Sequence, residues 1–217
     1  MKKYLSVIKQ SSLFSGISEE KILEMLDGLQ SKIIDFEKGN YILMTGNHTD
    51  SLGILLEGKA LIIQEDFWGS RNIISTIQEG QCFGESFASA PDSILNVSVV
   101  AEKQCKILFL NVKKILLMDQ EQFLRNLLSD MAYKNLHFSA KLIHLGQRTT
   151  RAKLLSYLSA EAKRQESYEF DIPFTRQQLA DYLFIERSGL SLELSKMQKE
   201  GILEYKKNHF ILKLNHK

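Results

Sequence analysis

Thr175-Arg176-Gln177-Gln178-Leu179-Ala180-Asp181-Tyr182-Leu183, then Phe184-Ile185-Glu186, then Arg187-Ser188-Gly189-Leu190-Ser191-Leu192-Glu193-Leu194-Ser195-Lys196-Met197, is the stretch that decides the architecture. Its spacing predicts two short amphipathic helices joined by a tight turn, with Thr175 capping the first. In the second helix Arg187, Ser188 and Ser191 share an outward face near the start, while Leu190 and Leu194 face a core. Two β-rich runs follow, Ile202–Tyr205 and Phe210–Leu214, about a Lys206-Lys207-Asn208-His209 turn. This is the pattern of a winged helix-turn-helix, whose second helix is shaped to lie in a DNA major groove.

The charge distribution points the same way. The 217 residues carry a net +2, but residues 148–217 hold 13 Lys/Arg against 9 Asp/Glu, and residues 1–147 hold 15 against 17. The basic excess therefore accompanies the helix pair, where phosphate contacts need it. The length and a 44% hydrophobic composition fit one large or two small globular domains with a real core. No apolar run has the length of a membrane span. The start, Met1-Lys2-Lys3-Tyr4-Leu5-Ser6, lacks the apolar region of a signal peptide, so no membrane partner and a cytoplasmic location are expected. Cys82 and Cys105 stand in apolar, strand-like surroundings, without metal-ligand spacing and too few for an iron–sulfur cluster within one chain. They read as buried reduced thiols, and no metal is expected.

Upstream, Ser18 reads as an N-cap for a helix over 19–26. Short apolar runs then recur: Ile33–Phe36, Tyr41–Met44, Leu52–Leu56, Ala60–Gln64, Asn72–Ile77, Val97–Ala101 and Lys106–Leu110, many separated by glycine-bearing turns. Such a series predicts a sandwich or barrel. From Lys113 to about Leu145 there is neither proline nor glycine and the spacing turns helical. Leu124, Leu128, Met131, Asn135, Phe138, Leu142 and Leu145 form a heptad seam with Asn135 at an a position. The seam suits a parallel homodimer, and equally a long helix packed on its own β domain; Leu127, Leu136 and Ile143 supply a second apolar flank. Arg148 to Lys163 is helical again, with Leu154, Leu155, Leu158 and Ala162 on one face, and Ser167 to Pro173 is an extended connector.

This order, with Phe36-Glu37-Lys38-Gly39-Asn40-Tyr41-Ile42, Leu55-Leu56-Glu57-Gly58-Lys59-Ala60, Gly80-Gln81-Cys82-Phe83-Gly84-Glu85 and the helix-turn-helix, resembles the cyclic-AMP receptor protein / fumarate–nitrate regulator superfamily of bacterial transcription factors. The resemblance implies an α+β chain: a jelly-roll β-barrel sensor like the cyclic-nucleotide-binding domain over 1–112, a dimerisation helix over 113–146 and a winged helix-turn-helix over 147–217. It implies a homodimer on double-stranded promoter DNA, with RNA polymerase as a partner, a possible small-molecule effector and no fixed cofactor. Arg187, Ser188 and Ser191 take the base-reading positions, and Arg176, Gln177, Lys206 and Lys207 the phosphate positions. Gly84, Glu85, Ser86, Asn96 and Ser139 match the effector pocket. His48, His137 and His144 lack the paired ligands of a haem site and read as ordinary surface or interface histidines.

Departures from the family pattern qualify these implications. Cyclic-nucleotide binders carry an Arg about ten residues after the Gly-Glu turn to neutralise the phosphate. Here no Arg or Lys occurs between Gly84 and Ala101, and Leu95 takes the arginine position, so a cyclic nucleotide is not the expected effector. Leu192 stands where the family has a base-contacting Arg, and Phe184 where its turn has Gly, which predicts an altered turn. Two readings compete with the DNA-binding one: a β-barrel enzyme, and a small-molecule-binding or interaction protein whose helical tail leaves DNA alone. The spacing offers the enzyme no HxH, no Glu/His metal set and no Ser/His/Asp arrangement.

Overall fold

The computed structural model describes residues 2–65 and 71–213, and the chain divides into two compact units, Met1–Lys134 and Asn135–Lys217. The first opens with helices α1 (Leu5–Gln10) and α2 (Glu19–Gly28), the latter capped by Ser18, whose Oγ accepts from the Lys21 N–H. Eight strands follow: β1 (Lys32–Phe36), β2 (Tyr41–Leu43), β3 (Ser51–Glu57), β4 (Ala60–Glu65), β5 (Arg71–Ile77), β6 (Cys82–Phe83), β7 (Ser98–Ala101) and β8 (Cys105–Asn111), with the short helix α3 (Glu85–Ser89) between β6 and β7. They pair antiparallel as two sheets, β1-β8-β3-β6 and β2-β7-β4-β5. The expected barrel is thus a pair of four-stranded sheets rather than a closed cylinder.

Strand β3 shows why this sequence makes two layers of core. Leu52, Ile54 and Leu56 join Phe14, Ile22, Leu26, Leu108 and Phe123 on one side, while Leu55 joins Ile42, Ala60, Phe83, Val99 and Ile107 on the other. A strand buried on both faces reads as an unbroken apolar run, and Leu52–Leu56 is one. Gly53 is the one residue of the run without a side chain, and for a reason: a Cβ there would collide with the Phe83 ring. That contact seats β6 on β3, and β6 delivers the turn that follows it.

The expected helix over 113–146 is two helices, α4 (Val112–Leu116) and α5 (Glu121–Leu145). Asn111 caps α4 through its side chain, which accepts from the Lys114 N–H. The boundary between the units falls within α5. Of the seam, Leu124 and Met131 are half-buried against their own β core, whereas Leu128, Phe138 and Leu142 are 71%, 57% and 67% exposed. Tyr133, Leu136 and Ile143 are exposed as well.

The second unit contains α6 (Thr150–Arg164), β9 (Glu169–Asp171), α7 (Arg176–Leu183), α8 (Arg187–Lys199), β10 (Leu203–Lys206) and β11 (His209–Leu212). The extended connector is the third strand of the wing, since β9 pairs with β11. Leu214, expected in the wing, lies outside the described residues. Leu154, Leu158, Leu179, Leu183, Leu190, Leu194 and Phe210 are fully buried together. At the turn Phe184 itself takes the left-handed conformation, φ 52° and ψ 57°, so the phenylalanine carries the strain that a glycine there would avoid. Among the described residues no helix is long and apolar enough to cross a membrane.

Candidate DNA-binding face and effector cassette

Helix α7 begins with a reciprocal cap. The Thr175 side chain accepts from the Gln178 N–H, and the Gln178 side chain accepts from the Thr175 N–H. The cap fixes the entry to the helix-turn-helix, and Leu179, Ala180 and Leu183 anchor α7 from beneath. Helix α8 presents one face outward. Arg187 and Ser188 are exposed, Ser191 is half-buried, and Leu190, Leu194 and Met197 are buried on the opposite side. Ser191 Oγ donates to the Arg187 carbonyl at 2.9 Å, so its hydroxyl proton is engaged within the helix. Leu192, at the position of the family's Arg, is 59% exposed. A Cβ at Gly189 would meet nothing within 4 Å, which leaves room for a close surface over the first turn.

The phosphate candidates divide. Lys206, which ends β10, and Lys207, which opens the wing turn with φ 58°, are both exposed. Gln177 is exposed, and its Nε2 donates to Asp181 at 2.8 Å. Arg176 is half-buried: its guanidinium lies 4.8 Å from the centre of the Tyr205 ring and donates to the Lys207 carbonyl. Burial lowers its pKa below the usual arginine value. Ile172, Phe174, Thr175, Arg176, Lys207 and Asn208 line a groove of about 530 Å³ beside it.

In the cassette, Gly84 has φ 76° and caps α3, a backbone that suits glycine. Glu85 follows, 5% exposed, and does not cap local backbone. Its Oε1 accepts from the Lys134 ammonium of α5 at 3.0 Å, and its Oε2 is buried with no hydrogen-bond partner. Lys134 also donates to the Cys82 carbonyl at 2.9 Å and to Cys82 Sγ at 3.2 Å, and pairs with Asp130 at 2.8 Å. Burial alone would lower the Lys134 pKa; the Cys82, Glu85 and Asp130 groups around it outweigh that and raise it. Burial likewise works to raise the Asp130 carboxyl, but hydrogen bonds from Lys134 and Ser12 leave it below its ordinary value.

The fold therefore brings Cys82, Glu85 and Asp130 together, a set the sequence spacing did not show, while Cys105, also free and buried, donates to the carbonyls of Lys59 and Lys103. Ser86 and Asn96 are exposed, and Ser139 is exposed on the other unit. Leu95, in the arginine position, is buried at 3% exposure, and its backbone is latched to Asn47 and Gly46. Of the histidines, His48 Nδ1 lies 2.8 Å from the Ser93 carbonyl, His137 is exposed, and His144 is buried with Nδ1 2.8 Å from Ser156 Oγ. Tyr157, a residue the sequence reading passed over, packs on His144, Phe174 and Tyr182 in the core of this unit.

Residues 33–121 match the cyclic nucleotide-binding domain family, and residues 152–216 match the Crp-like helix-turn-helix domain family. The chain is 28% identical over 122 residues to cGMP-dependent protein kinase 2 of Homo sapiens; the match covers 56% of this chain and spans only 15% of the kinase. It is 23% identical over 176 residues to a probable transcriptional activator of Rhizobium leguminosarum bv. viciae, covering 77% of this chain and 71% of that one. Among solved structures it is similar to OCPA-complexed CprK, with a TM-score of 0.68 at 18% identity over 89% of this chain and 91% of that one, a likeness of fold.

Proposed function

The chain belongs to the cyclic-AMP receptor protein / fumarate–nitrate regulator superfamily, and from that premise we propose how it works: it is a DNA-binding transcriptional regulator that acts as a homodimer on promoter DNA. The observation that carries this reading is the face of α8. Arg187 and Ser188 are exposed at the start of a helix whose other side is locked into the core by Leu190, Leu194 and Met197. Arg187 is the base reader, its fork matching two acceptors on guanine. Ser188 and Ser191 flank it, and Gln177, Lys206 and Lys207 hold phosphates. Arg176 belongs to this set through its position, with its guanidinium turned onto the wing. RNA polymerase is the natural partner of the promoter-bound dimer.

The dimer forms along α5. Leu128, Phe138 and Leu142 leave a helix of this chain with large apolar side chains in water, and pairing two copies removes them. Asn135, exposed at the centre of the seam, sets a parallel register when its amide meets its twin. The sensor does not take a cyclic nucleotide: Leu95 is buried where a phosphate needs a cation, and Glu85 is already paired with Lys134.

Selection of bound duplexes from a random pool tests the reading. It should converge on an inverted repeat, and a pool that fails to enrich would favour the interaction-protein alternative. On the selected site Arg187→Ala should cost about 1–3 kcal/mol relative to random DNA. Lys206→Ala should instead weaken all sequences alike and flatten the salt dependence.

A further inference from the structure

We propose that Cys82, Glu85 and Asp130 form a binding site for a divalent transition-metal cation of the zinc class, which enters by displacing the Lys134 ammonium. Cys82 Sγ and a carboxylate oxygen each from Glu85 and Asp130 lie within 4.8 Å of one another. Cys82 opens β6 and Glu85 begins α3, so the short link through Phe83 and Gly84 holds two of the ligands, and α5 brings the third. A thiolate and two carboxylates are donors that zinc accepts, with a fourth position left for water. Zinc–ligand bonds of about 2.0–2.3 Å require the set to close by roughly 1 Å.

Two further observations point to a ligand here. Glu85 Oε2 is buried without a hydrogen-bond partner, an acceptor that the internal ammonium leaves unused. A buried carboxylate oxygen in that condition is a standing cost, relieved when a cation bridges it. Moreover, the set already holds a cation. Lys134 faces four acceptors, Glu85 Oε1, Asp130, the Cys82 carbonyl and Cys82 Sγ, with three protons to give. Its side chain is 36% exposed, so it can swing to water without unpacking the core, whereas the carboxylates of Glu85 and Asp130 are 7% and 16% exposed and stay in place. Ser12 Oγ donates to Asp130 Oδ1 at 2.7 Å and orients that carboxylate from outside the set.

In the metal-free site Cys82 Sγ donates to Asp130 Oδ2 at 3.2 Å, so the group there is a thiol. Coordination deprotonates it and releases that proton to water, while Lys134 leaves with its own charge intact. With Glu85, Asp130 and Cys82 as anions around a divalent ion, the site keeps a net charge of −1, the same as it has with the ammonium in place. An anionic ligand has no such welcome. The inference stands apart from the DNA-binding reading, and its test uses no DNA.

Cobalt(II) is the probe, titrated into the full chain while its thiolate-to-metal absorption in the near ultraviolet is followed. One equivalent should bring up the band in the wild-type protein and in Cys105→Ala, zinc should bleach it, and Cys82→Ser should lack it. Lys134→Ala should bind roughly ten-fold more tightly, because its internal competitor is gone. If Lys134→Ala does not fold, the Cys82→Ser and Cys105→Ala pair decides alone. No band in the wild type at millimolar cobalt, or a band that survives Cys82→Ser, overturns the site. Equal or weaker binding by a folded Lys134→Ala overturns the displacement.

Discussion

Glu85 and Arg187 are both charged residues at the first position of a helix, and they are used in opposite ways. Glu85 opens α3 where the helix dipole favours a negative charge, and it is buried and paired with Lys134. Arg187 opens α8 where the dipole disfavours a positive charge, its first turn holds no acidic residue, and it is exposed. A charge paired within the chain stabilises its own fold. An exposed charge with no ion pair among the described residues stays available to an outside anion. The comparison separates residues that hold the sensor together from residues that wait for a partner, and four experiments can break or sharpen it.

The largest effect should come from the apolar side chains that wait. Replacing Leu128 and Leu142 together by Asp puts two charges per chain into the proposed interface, which costs several kcal/mol. Sedimentation should find monomers, and a variant as dimeric as the parent removes the seam as the interface. Next is the inward charge. Lys134→Met leaves Glu85 and Asp130 without their cation, a loss of about 3–5 kcal/mol for a fully buried pair. Because Lys134 is a third exposed, about 2 kcal/mol is expected in urea unfolding, and no change would mean the carboxylates find water instead.

A smaller effect concerns His144. Burial holds its imidazole below the usual 6.5, against a weaker opposing pull from Glu161. The unfolded chain therefore takes up this proton at higher pH than the folded one, so stability is full above 6.5 and falls as the pH drops through that value. Unfolding of the second unit at about pH 7.5 and about pH 5.5 should show the drop, and His144→Gln should remove it. Smallest of all, calorimetry with cyclic AMP and cyclic GMP should give no binding heat. A dissociation constant of about 10 μM or tighter would show that some cation does reach the phosphate.

The strands and the helix-turn-helix were legible because their signals are local. Glycine turns bound the strands, and Thr175 begins a helix from its own side chain. Strand β6 and helix α3 were not, since two and five residues carry no readable period and are held by Phe83 packing on Gly53. The break at Leu117–Gln120 was missed for a related reason: no proline or glycine marks it. The role of Glu85 lay furthest from view. Its partner Lys134 is 49 residues away on another element, and only the tertiary fold brings the two together. Phe184 shows the converse: the sequence marked this position as unusual for its turn, and the fold holds the phenylalanine there in the left-handed region.

The stacking of Arg176 on Tyr205 and Phe210, with its hydrogen bond to the Lys207 carbonyl, has a mechanical consequence. It ties the hairpin to α7, the helix that precedes α8, so the spacing between hairpin tip and α8 acts as a gauge more than as a hinge. Such a gauge has little disorder left to lose when it meets a duplex. On the proposed DNA-binding reading, accommodation then comes from the nucleic acid, through groove width and bending at base pairs the protein does not touch. Flexible pyrimidine–purine steps placed beneath the hairpin should therefore raise affinity even where no side chain reads them.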